Sequence, residues 1–120
     1  MKQNIIKEKA FLFAIRIVKL SKYLVNEQKE FVLSKQILKS GTSIGANSEE
    51  ADAGQSKKDF IAKMSISLKE AKETHYWLRL LVECDYINRQ MFESLITDCN
   101  EIILILTRIL QTARKNENKK

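Results

Sequence analysis

Apolar residues recur at three- and four-residue steps along almost the whole chain, and polar breaks interrupt that rhythm at three places. Such spacing keeps apolar side chains on one face of an α-helix, so the pattern predicts four helices. The first runs from about Asn4 to Val25. Its apolar set, which includes Ile6, Ala10, Phe11, Phe13, Ile17, Val18, Leu20 and Leu24, covers an arc of roughly 180° at 100° per residue. A surface helix of an ordinary domain needs little more than ~100°. The extra width predicts a helix that buries two faces, with Lys2, Lys9 and Arg16, seven residues apart, on the opposite side.

The first polar break is Asn26-Glu27-Gln28-Lys29-Glu30, and the second helix opens near Phe31. Leu33, Ile37, Gly41, Ile44, Ser48 and Ala51 line its inner face. Gly41 and Gly45 each cost roughly 1 kcal/mol relative to alanine inside a helix. Their small profile predicts a second helix packed unusually close. Ser43, Asn47 and Glu50 form a small, polar stripe beside them. Gly54 suits a left-handed helix end. Ser56 followed by Asp59 reads as the N-cap of a third helix, with an acidic group where the helix dipole is positive. That helix uses Phe60, Met64, Ser67, Leu68, Ala71, Leu78 and Leu81, and a second stripe of Glu73, Trp77, Leu80 and Cys84 is too apolar for a fully solvated face. Asn88 reads as the cap of the last helix, whose apolar set from Met91 to Ala113 again spans roughly 180°.

Four such segments with short connections predict an all-α fold, an antiparallel up-down-up-down four-helix bundle. At 120 residues the chain makes one domain, placed at 1–113, and the segment 114–120, without apolar anchors, is expected to fray. The absence of proline, with only three glycines, favours long unbroken helices. The wide arcs of the first and last helices leave more apolar surface than one four-helix core buries, which predicts self-association; a thick monomeric core is the alternative.

The segment from Ser40 to Leu81 resembles the bacterial four-helix-bundle family of 23S rRNA intervening-sequence proteins. The likeness is carried by Ser43 to Asn47 with Glu50, by Ser56, Asp59 and Phe60 at the third helix start, and by Ser67 to Ala71. It extends from about Phe11 to Leu110. Ser48 stands where members often carry an apolar residue. The resemblance implies a four-helix protomer that assembles as a ring, typically a homopentamer. A related branch, the accessory proteins of diversity-generating retroelements, implies basic pentamers that bind nucleic acid and a reverse transcriptase. Most members have no established biochemical role, so the resemblance speaks to fold and assembly more than to activity.

No motif in the chain carries catalysis, metal or a cofactor. A di-iron bundle needs Glu-x-x-His on two helices, but the single histidine, His75, follows Lys72 at that spacing. Asn47, Glu50, Ser67 and Glu70 invite an active-site reading, against which stands a plainer one: a polar contact layer between helices or subunits, with Ser67 and Asn47 donating to half-buried carboxylates. Cys84 and Cys99 read as free thiols packed as small apolar residues, which fits a reducing cytoplasm. Apolar runs fall short of a membrane span, and charged residues interrupt the N-terminal run too often for a signal peptide.

Charge is unevenly spread. Residues 1–47 hold nine Lys/Arg and three Asp/Glu, residues 48–107 seven and eleven, and residues 108–120 five and one, so the three segments carry +6, −4 and +4. In an up-down-up-down bundle the two basic termini share a pole. Lys2, Lys7, Lys9 and Arg16 would then join Arg108, Arg114, Lys115, Lys119 and Lys120 in a field that attracts phosphate without base specificity. Two functional readings follow: a non-enzymatic scaffold that engages nucleic acid or a nucleic-acid enzyme, and a structural or protein-partner adaptor whose charge only keeps it soluble.

Overall fold

The computed structural model describes residues 2–118, with side-chain environments from 5 to 116. Four helices account for nearly all of it: α1 (Lys2–Asn26), α2 (Leu33–Asp52), α3 (Lys57–Glu83) and α4 (Arg89–Asn118). Each packs against two neighbours, in the cyclic order α1, α2, α3, α4 and back to α1, and the α1–α4 seam is the thinnest. The result is the expected antiparallel bundle, drawn out to 52 × 21 × 20 Å. No helix among the described residues is long and apolar enough to cross a membrane.

The core is built from one face of each helix. Ile6, Phe13, Ile17 and Leu24 of α1 meet Ile37 and Ile44 of α2, Met64, Leu78 and Leu81 of α3, and Ile102, Leu106 and Leu110 of α4, all essentially solvent-free. Gly41 and Gly45 do what their size suggests. A Cβ at Gly41 would lie 2.7 Å from Ile17 Cγ2, and one at Gly45 would lie 3.5 Å from Ala10 Cβ. The backbones of α1 and α2 are therefore close along these two residues, and at Gly41 a methyl fits only if Ile17 shifts.

The helix ends are set by local chemistry. Ser56 is extended (φ −148°, ψ 166°) and its hydroxyl accepts from the Asp59 amide at 3.1 Å, so it caps α3. Asn88 caps α4 by accepting from the Met91 amide at 2.8 Å. Helix α2 begins two residues later than expected, and its cap comes from outside the helix. The buried Glu30 carboxylate accepts from the amides of Val32, Leu33 and Ser34 at 3.1, 2.9 and 2.7 Å. These are donors that a helix start cannot satisfy internally, and the negative charge meets the positive end of the dipole.

Gly54 departs from its expected left-handed conformation, since no glycine has positive φ. Lys29 (φ 53°) and Asp85 (φ 64°) take that conformation instead, in the other two turns. The α2–α3 turn has no left-handed residue to place: Ala53 and Gly54 close the last turn onto the carbonyls of Glu50 and Ala51, and extended Ser56 follows. Gly54 serves closeness, because a Cβ there would lie 3.1 Å from the Ala51 carbonyl oxygen and 3.2 Å from Asp59 Cβ. At the C-terminus α4 runs to Asn118, and Arg114 donates to Ser65 Oγ of α3 at 3.0 Å.

Candidate functional site

The α2–α3 seam holds the polar layer, made of hydroxyls rather than carboxylates. Ser67, fully buried, donates to the Ile44 carbonyl at 2.8 Å and lies 3.0 Å from Ser48 Oγ. One level along, Thr74 Oγ1 lies 2.8 Å from Ser40 Oγ. Short hydroxyl side chains let the two helices close up while each buried oxygen keeps a partner. Ser34 Oγ, at the opposite end of α2, is the one buried side-chain oxygen without a partner among the described residues.

The four residues that invited an active-site reading do not converge. Ser67 is committed to the seam. Asn47 donates back to the Ser43 carbonyl at 2.8 Å, and Ser43 donates to the Lys39 carbonyl at 2.6 Å. Glu50 pairs with Lys63 at 2.8 Å on the surface. Glu70 is half-buried, and burial followed by repulsion from Glu73 pushes its carboxyl above the ordinary range. The expected donation from Ser67 and Asn47 to these carboxylates is replaced by bonds to nearby backbone carbonyls, which a serine or asparagine inside a helix reaches without extending.

His75 is half-buried against α4; burial, then the Arg79 charge, hold its imidazole below the ordinary value, while a bond to Asn100 acts the other way. Cys99 is buried, its thiol facing the Ala71 carbonyl at 3.4 Å, and burial pushes its pKa up to about 12. Cys84 is exposed at the end of α3, contrary to its reading as a packed residue. No group of three or more His, Cys, Asp or Glu side chains with metal-binding geometry occurs among the described residues.

The basic residues divide into two sets. Lys7 pairs with Asp52 of α2, and this hydrogen bond holds its ammonium above the ordinary lysine value. Lys9 pairs with Glu101 at 2.8 Å. Arg16 bonds to Asp98 at 2.6 Å and to Ser94 Oγ at 2.7 Å. Lys9 and Arg16 are therefore not on the side of α1 opposite its apolar residues; they line the α1–α4 seam and clasp it. Arg108, Arg114 and Lys115 are exposed on α4. Lys119 and Lys120 lie outside the described residues, as does the side chain of Lys2. The shared pole also receives the end of α2 and the start of α3, which bring Asp52 and Asp59 into the basic field.

Apolar surface is left mainly on α1. Phe11 (62% exposed), Leu12 (54%), Ile15 (39%) and Val18 (36%) face outward. The wide arc of α1 thus splits into one buried face and one open one. The arc of α4 is largely absorbed by the core; Leu104 is its exposed large apolar residue.

The profile of the 23S rRNA-intervening sequence protein family matches residues 2–108. The chain belongs to this family. A crystal structure of a protein of unknown function from the S23 ribosomal protein family of Bacteroides thetaiotaomicron VPI-5482 is similar: 58% identical, covering 92% of this chain and 99% of that one, with a TM-score of 0.91. A search of curated proteins returns no match. In this intervening-sequence protein the residues of the family likeness are structural in placement. Ser43 and Asn47 bond within α2, Gly45 seats α1, Ser56 caps α3, and Ser67 crosses to α2. Ser48, where members often have an apolar residue, is fully buried and donates either to Ile44 or to Ser67. A hydroxyl there costs nothing in unmet hydrogen bonds.

Proposed function

We propose that this chain is a non-enzymatic, self-associating scaffold of the reducing cytoplasm that engages nucleic acid, or an enzyme acting on it, through its basic surface. The observation that carries this reading is the open face of α1, where Phe11, Leu12, Ile15 and Val18 stand exposed together. Contiguous apolar surface of this kind is covered in stable soluble proteins, and a second copy of the same chain is the simplest cover. The family resemblance supplies the number, a ring of five. Each copy adds a net charge of +6, so a ring concentrates positive field toward phosphate.

Light scattering at micromolar concentration should give a species several times the 13.9 kDa of one chain; a stable monomer rejects the assembly. Affinity for generic duplex DNA should fall with salt along a log–log line of slope about −0.9 per phosphate contacted. An oligomer without detectable binding at ~50 mM salt, where such contacts are strongest, favours the protein-partner adaptor instead.

A further inference from the structure

The segment 48–107, net acidic in sequence, also carries an open cationic surface. Along α3, Ser65, Lys69, Lys72, Tyr76 and Arg79 follow one another at steps of four, three, four and three residues, so they share one face. The face extends about 21 Å at 1.5 Å per residue. Beside it lies a cleft of about 270 Å³ between α3 and α4, floored by Leu68 and Leu110 and walled by Lys69, Lys72, Ser65 and Arg114. Arg114 reaches in from α4 and is held by its bond to Ser65. Lys69, Lys72, Arg79 and Arg114 are all exposed, and none forms an ion pair among the described residues. Among the acidic residues of this helix, Glu70 lies off the face and feels the charges of Lys69 and then of Lys39 of α2, while Glu73 borders the face and takes the Trp77 indole N–H at 3.5 Å. The row ends at Glu83, one turn past Arg79.

Tyr76 distinguishes this row from a plain cationic patch. It is 50% exposed, and its ring is fixed from two sides. Trp77 meets it edge-on, with centroids 5.1 Å apart and planes at 70°, and the Arg79 guanidinium sits 5.6 Å from its centroid. A held aromatic ring set among cations offers a stacking platform to an unpaired base, which a base inside a duplex cannot use.

We infer that this face of α3, with Arg114 from α4, is a track for single-stranded nucleic acid: Lys69, Lys72 and Arg114 hold the phosphates and Tyr76 stacks a base. The inference rests on the nucleic-acid reading above and gives it a location. It moves the binding surface away from Lys7, Lys9 and Arg16, which carboxylates already occupy.

The test is fluorescence anisotropy of a labelled twelve-nucleotide oligouridine and of a duplex of equal length, using the purified full chain. The variants are a triple Lys69→Gln/Lys72→Gln/Arg114→Gln, a single Tyr76→Ala, and a charge-matched control, Lys19→Gln/Lys35→Gln/Lys39→Gln, with circular dichroism to establish that each is folded. The triple variant should bind the single strand at least tenfold more weakly than the control and flatten the log–log salt slope by about 2, at roughly 0.7 for each phosphate no longer held. Tyr76→Ala should weaken binding roughly 5- to 100-fold with the slope unchanged, and Tyr76→Phe should restore it. The single tryptophan, packed against Tyr76, should change its emission as the strand binds. A triple variant no weaker than the control overturns the track while leaving nucleic-acid binding standing. So does undiminished binding by Tyr76→Ala, or a duplex bound as tightly as the single strand. Wild-type protein that binds neither probe overturns both the track and the reading beneath it.

Discussion

Gly41 and Gly45 occupy successive turns of α2 and look interchangeable in sequence, yet their surroundings differ. At Gly41 the opposing group is Ile17, fully buried and β-branched, so it has no other rotamer to retreat into. A methyl 2.7 Å from Ile17 Cγ2 forces the helices apart or the side chain off its rotamer, which costs about 1–3 kcal/mol. At Gly45 the same methyl meets Ala10 Cβ at ordinary contact distance, 3.5 Å. Gly41→Ala should therefore lower the urea midpoint, and Ile17→Ala added to it should cost less than the sum of the two single changes. Gly45→Ala should leave stability unchanged or raise it by up to about 1 kcal/mol, the difference in helix propensity. Equal losses at both sites would contradict this account of the α1–α2 seam.

Element boundaries depend on a few side chains, and here the difference between what sequence reveals and what it hides has a physical cause. Ser56 and Asn88 are legible because a cap of that kind acts within three residues and uses residue types that do little else at such positions. The start of α2 is not legible. Its cap is Glu30, a residue type common on any surface, acting across an irregular turn in which Lys29 is left-handed. Glu30→Ala should expose three amide donors and cost about 1–2 kcal/mol, the upper part of the range for a lost cap. Glu30→Gln, which keeps an acceptor but no charge, should lose less; equal unfolding midpoints for wild type and Glu30→Ala would show that water satisfies these amides as well. The polar layer was legible in outline, since Ser67 stood at a core position. Its partners were not, because a hydroxyl's choice between a carboxylate and the nearest helix carbonyl depends on distances that spacing alone does not fix. The Lys69–Tyr76–Arg79 face was hidden for another reason: summing charge along residues 48–107 merges α3, with six Lys/Arg against four Asp/Glu, with the acidic end of α2 and the acidic stretch from Asp85 to Glu101.

At the scale of the whole molecule, the two open surfaces lie on different helices, the apolar face on α1 and the basic face on α3. In the cyclic order α1, α2, α3, α4 these two helices are diagonal, meeting only through core side chains, with no Cα atoms within 8 Å of each other. Copies joined in a ring through α1 against any surface other than α3 would leave α3 free on every protomer, so that assembly multiplies phosphate-binding faces without consuming them. That arrangement links oligomerisation to affinity through avidity, since a strand held by one protomer meets the next at high effective concentration. Phe11→Glu combined with Val18→Lys separates the two effects. Both side chains are already exposed in the protomer, so the variant should keep its helical content. It should run as a monomer of about 13.9 kDa by light scattering. It should also bind a long single strand much more weakly than wild type, while its affinity for an oligomer too short to reach a second protomer stays within a few-fold. An assembly that survives both substitutions would place the interface on another helix, and an equal loss on long and short strands would show that α1 itself touches nucleic acid.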